Sequence, residues 1–155
     1  MPKVINRVGK EFNDYCIVVG EPEIGPEAWI GYCCLIDGSG GLKIGRHVIV
    51  SSGVHIYTHD AIRAAVLNLA KDHESYTHVD RGPVSIGDNV FIGANSVILP
   101  NTHIGDHSVV AALSLVKGDF PPYSFIAGIP ATIKGDVRGL IRKRGSKRSG
   151  DQIDT

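Results

Sequence analysis

A fixed step of six residues runs through most of this chain, and a short period of that kind constrains the architecture before any secondary structure is assigned. Val18, Ile24, Ile30 and Ile36, then Ile44, Val50 and Ile56, then Ile86, Ile92, Ile98, Ile104, Val110 and Val116 are all Ile or Val. The two types supply only 34 of the 155 residues, so thirteen out of thirteen on one register is a repeat and not a composition effect. Gly follows the aliphatic at Gly25, Gly31, Gly45, Gly87, Gly93 and Gly105, and a small or short residue stands four places after it at Ala28, Cys34, Gly40, Ser96, Thr102, Ser108 and Ser114. Each hexad therefore reads as a short strand and a corner. The β-branched residue points inward from a pleated surface, and Gly tolerates the backbone angles of the turn.

Three such hexads close one triangular coil, and coils stacked at the strand spacing of about 4.8 Å bury one another's aliphatics. The faces are labelled A, B and C in order from Val18. The step from Ile36 to Ile44 is then two residues too long, and the step from Ile56 to Ile86 is twenty-four too long. Both breaks fall at the A-to-B corner, one coil apart. Insertions gathered on one edge of a solenoid commonly build a binding face, which makes this edge the candidate site. The long insertion, about residues 62–85, opens with IRAAVLNLA, a helical turn or two, and continues through His73, Tyr76 and His78. The whole chain reads as one domain. Residues 1–17 form an N-terminal cap, 18–121 the β-helix with its loop, and 122–155 an exit segment with a basic, flexible tail.

Sixteen Lys and Arg balance sixteen Asp and Glu, so no global field favours nucleic acid or a membrane surface. No run approaches the length of a spanning helix, and MPKVINRVGKEF has no signal-peptide core, which points to a cytoplasmic protein. Cys16, Cys33 and Cys34 lack the number and spacing of a disulfide framework or a zinc site and read as small buried fillers.

Three segments carry a resemblance: IDGSGGLKIGRHVIVSSGVHIYTHD, PVSIGDNVFIGANSVILPNTHIGDHSVV and DFPPYSFIAGIPATI. Together they resemble the hexapeptide-repeat acyltransferase superfamily, in particular the bacterial sugar O-acetyltransferases of the galactoside, maltose, virginiamycin and polysaccharide-modifying types. The resemblance implies an all-β, left-handed parallel β-helix and transfer of an acetyl group from acetyl-CoA to a hydroxyl of a sugar or glycan precursor. It also implies a homotrimer with sites between neighbours, and no metal.

The family's catalytic histidine falls on His59, at the broken corner, where a neutral imidazole can accept the acceptor's proton. Coil arithmetic puts Asp37 beneath that site, because Tyr57 lies one coil plus the two-residue insertion after it. Asp37 then either orients His59 or simply makes the turn before GSGG. Tyr57, Asp60 and Tyr76 are further candidates around the acceptor. For acetyl-CoA the resemblance points to Gly93, Ala94, Ala111 and Ala112 along the pantetheine groove, with Lys117 and Lys134 on the phosphates. Leu113 stands where the family has a Gly, and Thr132 where it often has an Arg.

Three other readings compete. An N-acetyltransferase acting on a nucleotide-linked amino sugar would use the same base. A γ-class carbonic anhydrase shares the solenoid but needs zinc on three histidines, and the positions matching two of them are Ala94 and Leu99. His73 and His78 have the five-residue spacing but sit in the loop. A non-catalytic scaffold would have no use for the THD corner, the loop or the AGIPA exit.

Overall fold

A computed structural model describes residues 5–6, 10–11, 16–69 and 78–148, with side chains from 16 onward and up to 142. The short strands stack into three parallel sheets, one per face of a left-handed parallel β-helix. Face A is built from Ile17–Val19, Leu35–Asp37, His55–Ile56, Val97–Ile98 and Leu115–Val116. Face B stacks Glu23–Ile24, Leu42–Ile44, Val84–Ile86, Thr102–Ile104 and Asp119–Phe120. Face C stacks Trp29–Ile30, Ile49–Val50, Phe91–Ile92, Val109–Val110 and Ser124–Gly128. Twelve of the thirteen periodic aliphatics are buried, and Ile24, in the first coil, is partly covered. The interior is thus a column of Ile and Val with no polar centre, the arrangement that lets successive coils bury each other's apolar area.

The repeat runs further than Val116. Phe120 and Ile126 continue faces B and C, both buried, after a corner shortened by two residues at Lys117-Gly118. The step of four and the aromatic in place of a β-branched residue hide this last coil from a search at period six. Face C is then extended by Ala131–Asp136, which turns back antiparallel on Ser124–Gly128, so that AGIPATI is a hairpin. A helix, Val137–Arg148, follows where the sequence suggested a flexible tail. Arg138 lies 4.5 Å over the Tyr123 ring, which stacks on His107, and this ties the helix start to the solenoid.

The corners correct the reading of the glycines. Three places after the inward residue the chain takes the left-handed conformation at Glu27, Cys33, His47, Gly53, Asn89, Asn95, Asn101, His107, Leu113 and Tyr123, but not after Val18, Ile36, Ile56 or Val116. The glycine directly after the aliphatic has no positive φ. An added Cβ at Gly25 or Gly31 would instead lie 2.6 Å from backbone atoms of the next coil, so Gly is needed there for close stacking. The small residues of the next position point inward, and their hydroxyls donate to corner carbonyls, Ser114 to Ala111 at 2.7 Å and Ser124 to Pro121 at 2.6 Å. Cys16 and Cys34 fill the core as expected, whereas Cys33 occupies a left-handed corner and is exposed.

Among the described residues no helix is long and apolar enough to cross a membrane. The N-terminal cap lies largely outside the described residues, which record a two-residue antiparallel pair between Ile5–Asn6 and Lys10–Glu11.

Candidate active site

The long insertion is closed at its base by the strand His59–Asp60, which pairs antiparallel with Asp80–Arg81, His59 opposite Arg81. Helix Ile62–Val66 starts immediately after, with Asp60 Oδ1 accepting from the Ile62 amide at 3.1 Å. This ladder fixes the backbone of His59 at the corner while the chain leaves and re-enters the coil.

Beneath it, the two-residue excess of the preceding coil lets Asp37 turn inward, and the residue is 1% exposed. Its Oδ2 accepts from the Thr58 amide at 2.8 Å and from the Thr58 hydroxyl at 2.9 Å, and lies 2.7 Å from His59 Nδ1. Oδ1 accepts from the Ser39 amide at 2.9 Å, so the turn-forming role of Asp37 and its contact with His59 coexist. Thr58, fully buried, also accepts from the Gly40 amide at 2.8 Å and clamps the two coils together. Burial pushes the Asp37 carboxyl up. The hydrogen bonds from Ser39 and Thr58 more than offset this and hold it at about 2.

An ionised carboxylate has no proton to give, so the proton between Asp37 and His59 resides on Nδ1. In the neutral imidazole Nε2 then carries the lone pair. Asp37 therefore sets both the orientation and the tautomer of a histidine whose side chain is 31% exposed. Thr58 and Ser39 were absent from the sequence reading. Ser39 precedes His59 by the same twenty residues that separate Asp37 from Tyr57, and its hydroxyl lies 3.3 Å from His59 Nδ1.

A cavity of about 380 Å³ opens at this corner, lined by Tyr57, His59, Asp60, Ala61, Ile62, Leu99, Pro100 and Lys117. It brings together four of the residues singled out from sequence, His59, Tyr57, Asp60 and Lys117. The Tyr57 hydroxyl is 3.3 Å from His55 Nδ1, which steadies the ring against the cavity. Lys117, expected with the donor phosphates, instead shares the cavity with His59. Gly93, Ala94, Ala111 and Ala112 lie at the C-to-A corner, another edge of the same solenoid. Gly93 is buried against the backbone of Ala111 and Ala112, with no room for a Cβ. Lys134 is exposed on the returning strand, and Tyr76 and His73 lie outside the described residues. His78 is exposed and does not line the cavity. Among the described residues no three His, Cys, Asp or Glu side chains gather as a metal site requires.

The coil architecture is matched by known proteins. The bacterial transferase hexapeptide (six repeats) family matches residues 83–118. The chain belongs to the hexapeptide-repeat, left-handed β-helix acyltransferase superfamily. Within it, the galactoside O-acetyltransferase of Escherichia coli K12 is 43% identical over 69 residues, which is 44% of this chain and 32% of that protein. The dTDP-4-amino-4,6-dideoxy-D-glucose acyltransferase of Escherichia coli is 31% identical over 124 residues, 77% of this chain and 64% of that protein. The crystal structure of AntD, an N-acyltransferase from Bacillus cereus in complex with dTDP and 3-hydroxybutyryl-CoA, superposes with a TM-score of 0.70 at 26% identity, covering 88% of this chain and 74% of AntD. The chain spans about a third to two thirds of the length of the curated relatives it matches.

Proposed function

We propose that this protein transfers an acetyl group from acetyl-CoA to a hydroxyl of a sugar or glycan precursor, in the cytoplasm, with His59 as general base. The observation that carries the reading is the 2.7 Å contact of His59 Nδ1 with a buried, ionised Asp37, which leaves Nε2 free to accept a proton. The acceptor hydroxyl loses its proton to Nε2 as its oxygen attacks the thioester carbonyl. The imidazolium that forms faces the Asp37 carboxylate, and the proton passes to the departing thiolate as the tetrahedral intermediate collapses. Tyr57 and Asp60 flank the acceptor, and Tyr76 belongs to the same loop.

The donor groove at Gly93, Ala94, Ala111 and Ala112, with Lys134 beyond it, lies on a different edge from His59. One chain cannot present both edges to one substrate pair, which is the reason to expect a homotrimer with the donor held between neighbours. The outward side chains support association. Trp29, Ile49, Phe91, Val109 and Phe125 form a column down face C, and Ile17, Leu35, His55, Val97 and Leu115 one down face A. Face B, by contrast, shows Glu23, Lys43, Ser85, His103 and Asp119. Contiguous apolar surface of this kind marks an interaction face. Light scattering that returns a monomer would count against shared sites.

N-acylation of a nucleotide-linked amino sugar is the second reading, supported by the dTDP-amino sugar acyltransferase and by AntD. A screen of hydroxyl and amine acceptors with acetyl-CoA, followed by identification of the product as ester or amide, separates the two. No turnover with any acceptor in the presence of acetyl-CoA would remove both.

A further inference from the structure

Lys117 lines the same cavity as His59, at the A-to-B corner and not at the C-to-A corner of Gly93 and Ala111. The residues one place beyond the face A aliphatics form a vertical column at the A-to-B corner, Asp37, Tyr57, Leu99 and Lys117. It is stitched by the Tyr57 amide to the Ile98 carbonyl at 2.9 Å and by the Leu99 amide to the Val116 carbonyl at 2.9 Å. Two coil steps of about 4.8 Å separate the Tyr57 and Lys117 backbones, so the column places the Lys117 backbone about 10 Å above that of Tyr57. Between them the wall is Leu99 and Pro100, and across the cavity stand Ala61 and Ile62. Among the described residues Lys117 makes no salt bridge. The other charged group on the lining, Asp60, turns its Oδ1 to the Ile62 amide.

A sphere of 380 Å³ is about 9 Å across, the span of one sugar residue with its substituents, so a group that Lys117 holds inside the cavity lies within about 9 Å of a hydroxyl at His59. The pantetheine arm separates a thioester from its nearest phosphate by roughly 15 Å when extended, at about 3.5 Å for every three backbone-type bonds. A thioester poised at His59 therefore carries its phosphates beyond this cavity. An exposed lysine on the rim of a mostly apolar cavity, with no salt bridge among the described residues, can reach a carboxylate or phosphate on the group that fills the cavity.

We infer that Lys117 selects the acceptor, and that the acceptor is an anionic sugar, bearing a carboxylate or phosphate on the same residue as the acylated hydroxyl. The inference rests on the reading of the cavity as an acyl-acceptor site. It can be tested with matched pairs, p-nitrophenyl glucuronide against p-nitrophenyl glucoside and glucose 6-phosphate against glucose, using wild type, Lys117→Arg, Lys117→Gln and Lys117→Glu. The expected result is that wild type and Lys117→Arg favour the charged member of a pair by tenfold or more in kcat/KM. Lys117→Gln should lose that ratio, Lys117→Glu invert it, and the KM for acetyl-CoA move less than twofold.

A wild type indifferent to charge overturns the inference. So does a rise in the KM for acetyl-CoA on Lys117→Gln with the acceptor ratio intact, which would return Lys117 to the donor. Calorimetric binding of the same pairs reads the ratio without turnover. Charge-selective binding by wild type that Lys117→Gln abolishes, in a protein that never turns over acetyl-CoA, would sustain the inference while sinking the proposed reaction. Binding without charge selectivity would sink the inference alone.

Discussion

Replacing Asp37 by Asn exchanges one carboxylate oxygen for an NH2 group, and the hydrogen bonds decide which one. Oδ2 faces three donors, the Thr58 amide, the Thr58 hydroxyl and His59 Nδ1, whereas Oδ1 faces only the Ser39 amide. The amide therefore settles with its carbonyl oxygen in the Oδ2 position, because the reverse leaves three donors opposing a donor. His59 keeps its Nδ1–H tautomer in the variant. What disappears is the negative charge that faces the imidazolium as it forms. A hydrogen bond to a charged group contributes about 1.5–3 kcal/mol against about 0.5–1.5 for a neutral one. The barrier rises by about 1–2 kcal/mol, and kcat falls roughly 5- to 30-fold.

Free thiol release from acetyl-CoA with the best acceptor measures that loss, and long-range proton–nitrogen NMR of the imidazole reports the tautomer. A loss above a thousandfold with the proton moved to Nε2 would refute the oxygen-orientation argument. A loss below threefold would refute any part for the Asp37 charge.

The same substitution has a signature in stability. A carboxyl at about 2 in the fold and at 3.8 in the open chain contributes about 2–3 kcal/mol at neutral pH. Because the folded value is the lower one, the contribution is complete above about pH 4 and is lost as pH falls towards 2. Urea unfolding of wild type and Asp37→Asn should thus differ by about 2–3 kcal/mol at pH 7 and converge below pH 2. A gap that stays constant across that range would mean the carboxylate is not stabilised in the fold.

His59→Ala should lower turnover by about two orders of magnitude or more while fold, oligomeric state and acetyl-CoA binding stay near wild type; abolition by His73→Ala or His78→Ala, with His59→Ala active, would move the base to the loop. Lys134→Ala should raise the KM for acetyl-CoA more than it lowers kcat, as expected of a group holding phosphates and not the reacting carbonyl, and an unchanged donor dependence would remove it from the site. Gly31→Ala should cost about 1–3 kcal/mol in chemical unfolding, because its new Cβ meets the next coil's backbone. In the same assay Gly139→Ala, with nothing near its Cβ, should stabilise the C-terminal helix by up to about 1 kcal/mol.

Legibility followed the strength of the repeat. Where one aliphatic recurred every six residues the coil, the face and the inward direction could be read, and Ile36, Ile56, Ile98, Ile104 and Val110 all have no exposed surface. At the end of the solenoid two small departures coincide, a corner of four and Phe120 in place of Ile or Val, and the last coil vanished from view. The corner chemistry was misassigned for a different reason. Gly after six of the aliphatics invites an explanation by backbone freedom, but a missing Cβ has two uses, and only the stacked structure shows that close approach is the one employed. Left-handed corners fell instead to Asn, His, Glu, Cys, Leu and Tyr, and of these Asn alone has a marked local preference that could have announced it.

The site was legible to the extent that it broke the pattern. An aliphatic repeat buries one residue per hexad, and a histidine oriented at a corner needs something else: a buried carboxylate whose cost must be met by several donors at once. The Asp37 carboxylate has four such contacts, and three involve Thr58 or His59, which the two-residue excess between Ile36 and Ile44 brings within reach. That excess is visible in the sequence, and so is the twenty-residue offset that carries Ser39 to His59. Thr58 leaves no such trace, since a threonine beside a strand is an ordinary β-former, and its role as donor to Asp37 and acceptor from Gly40 exists only once the two coils are stacked. The place of Lys117 beside the cavity was hidden for the converse reason. Its sequence context is a corner near the exit, and nothing in that context reveals that shortening this corner by two residues ends the column above Tyr57 and Leu99 with a cation.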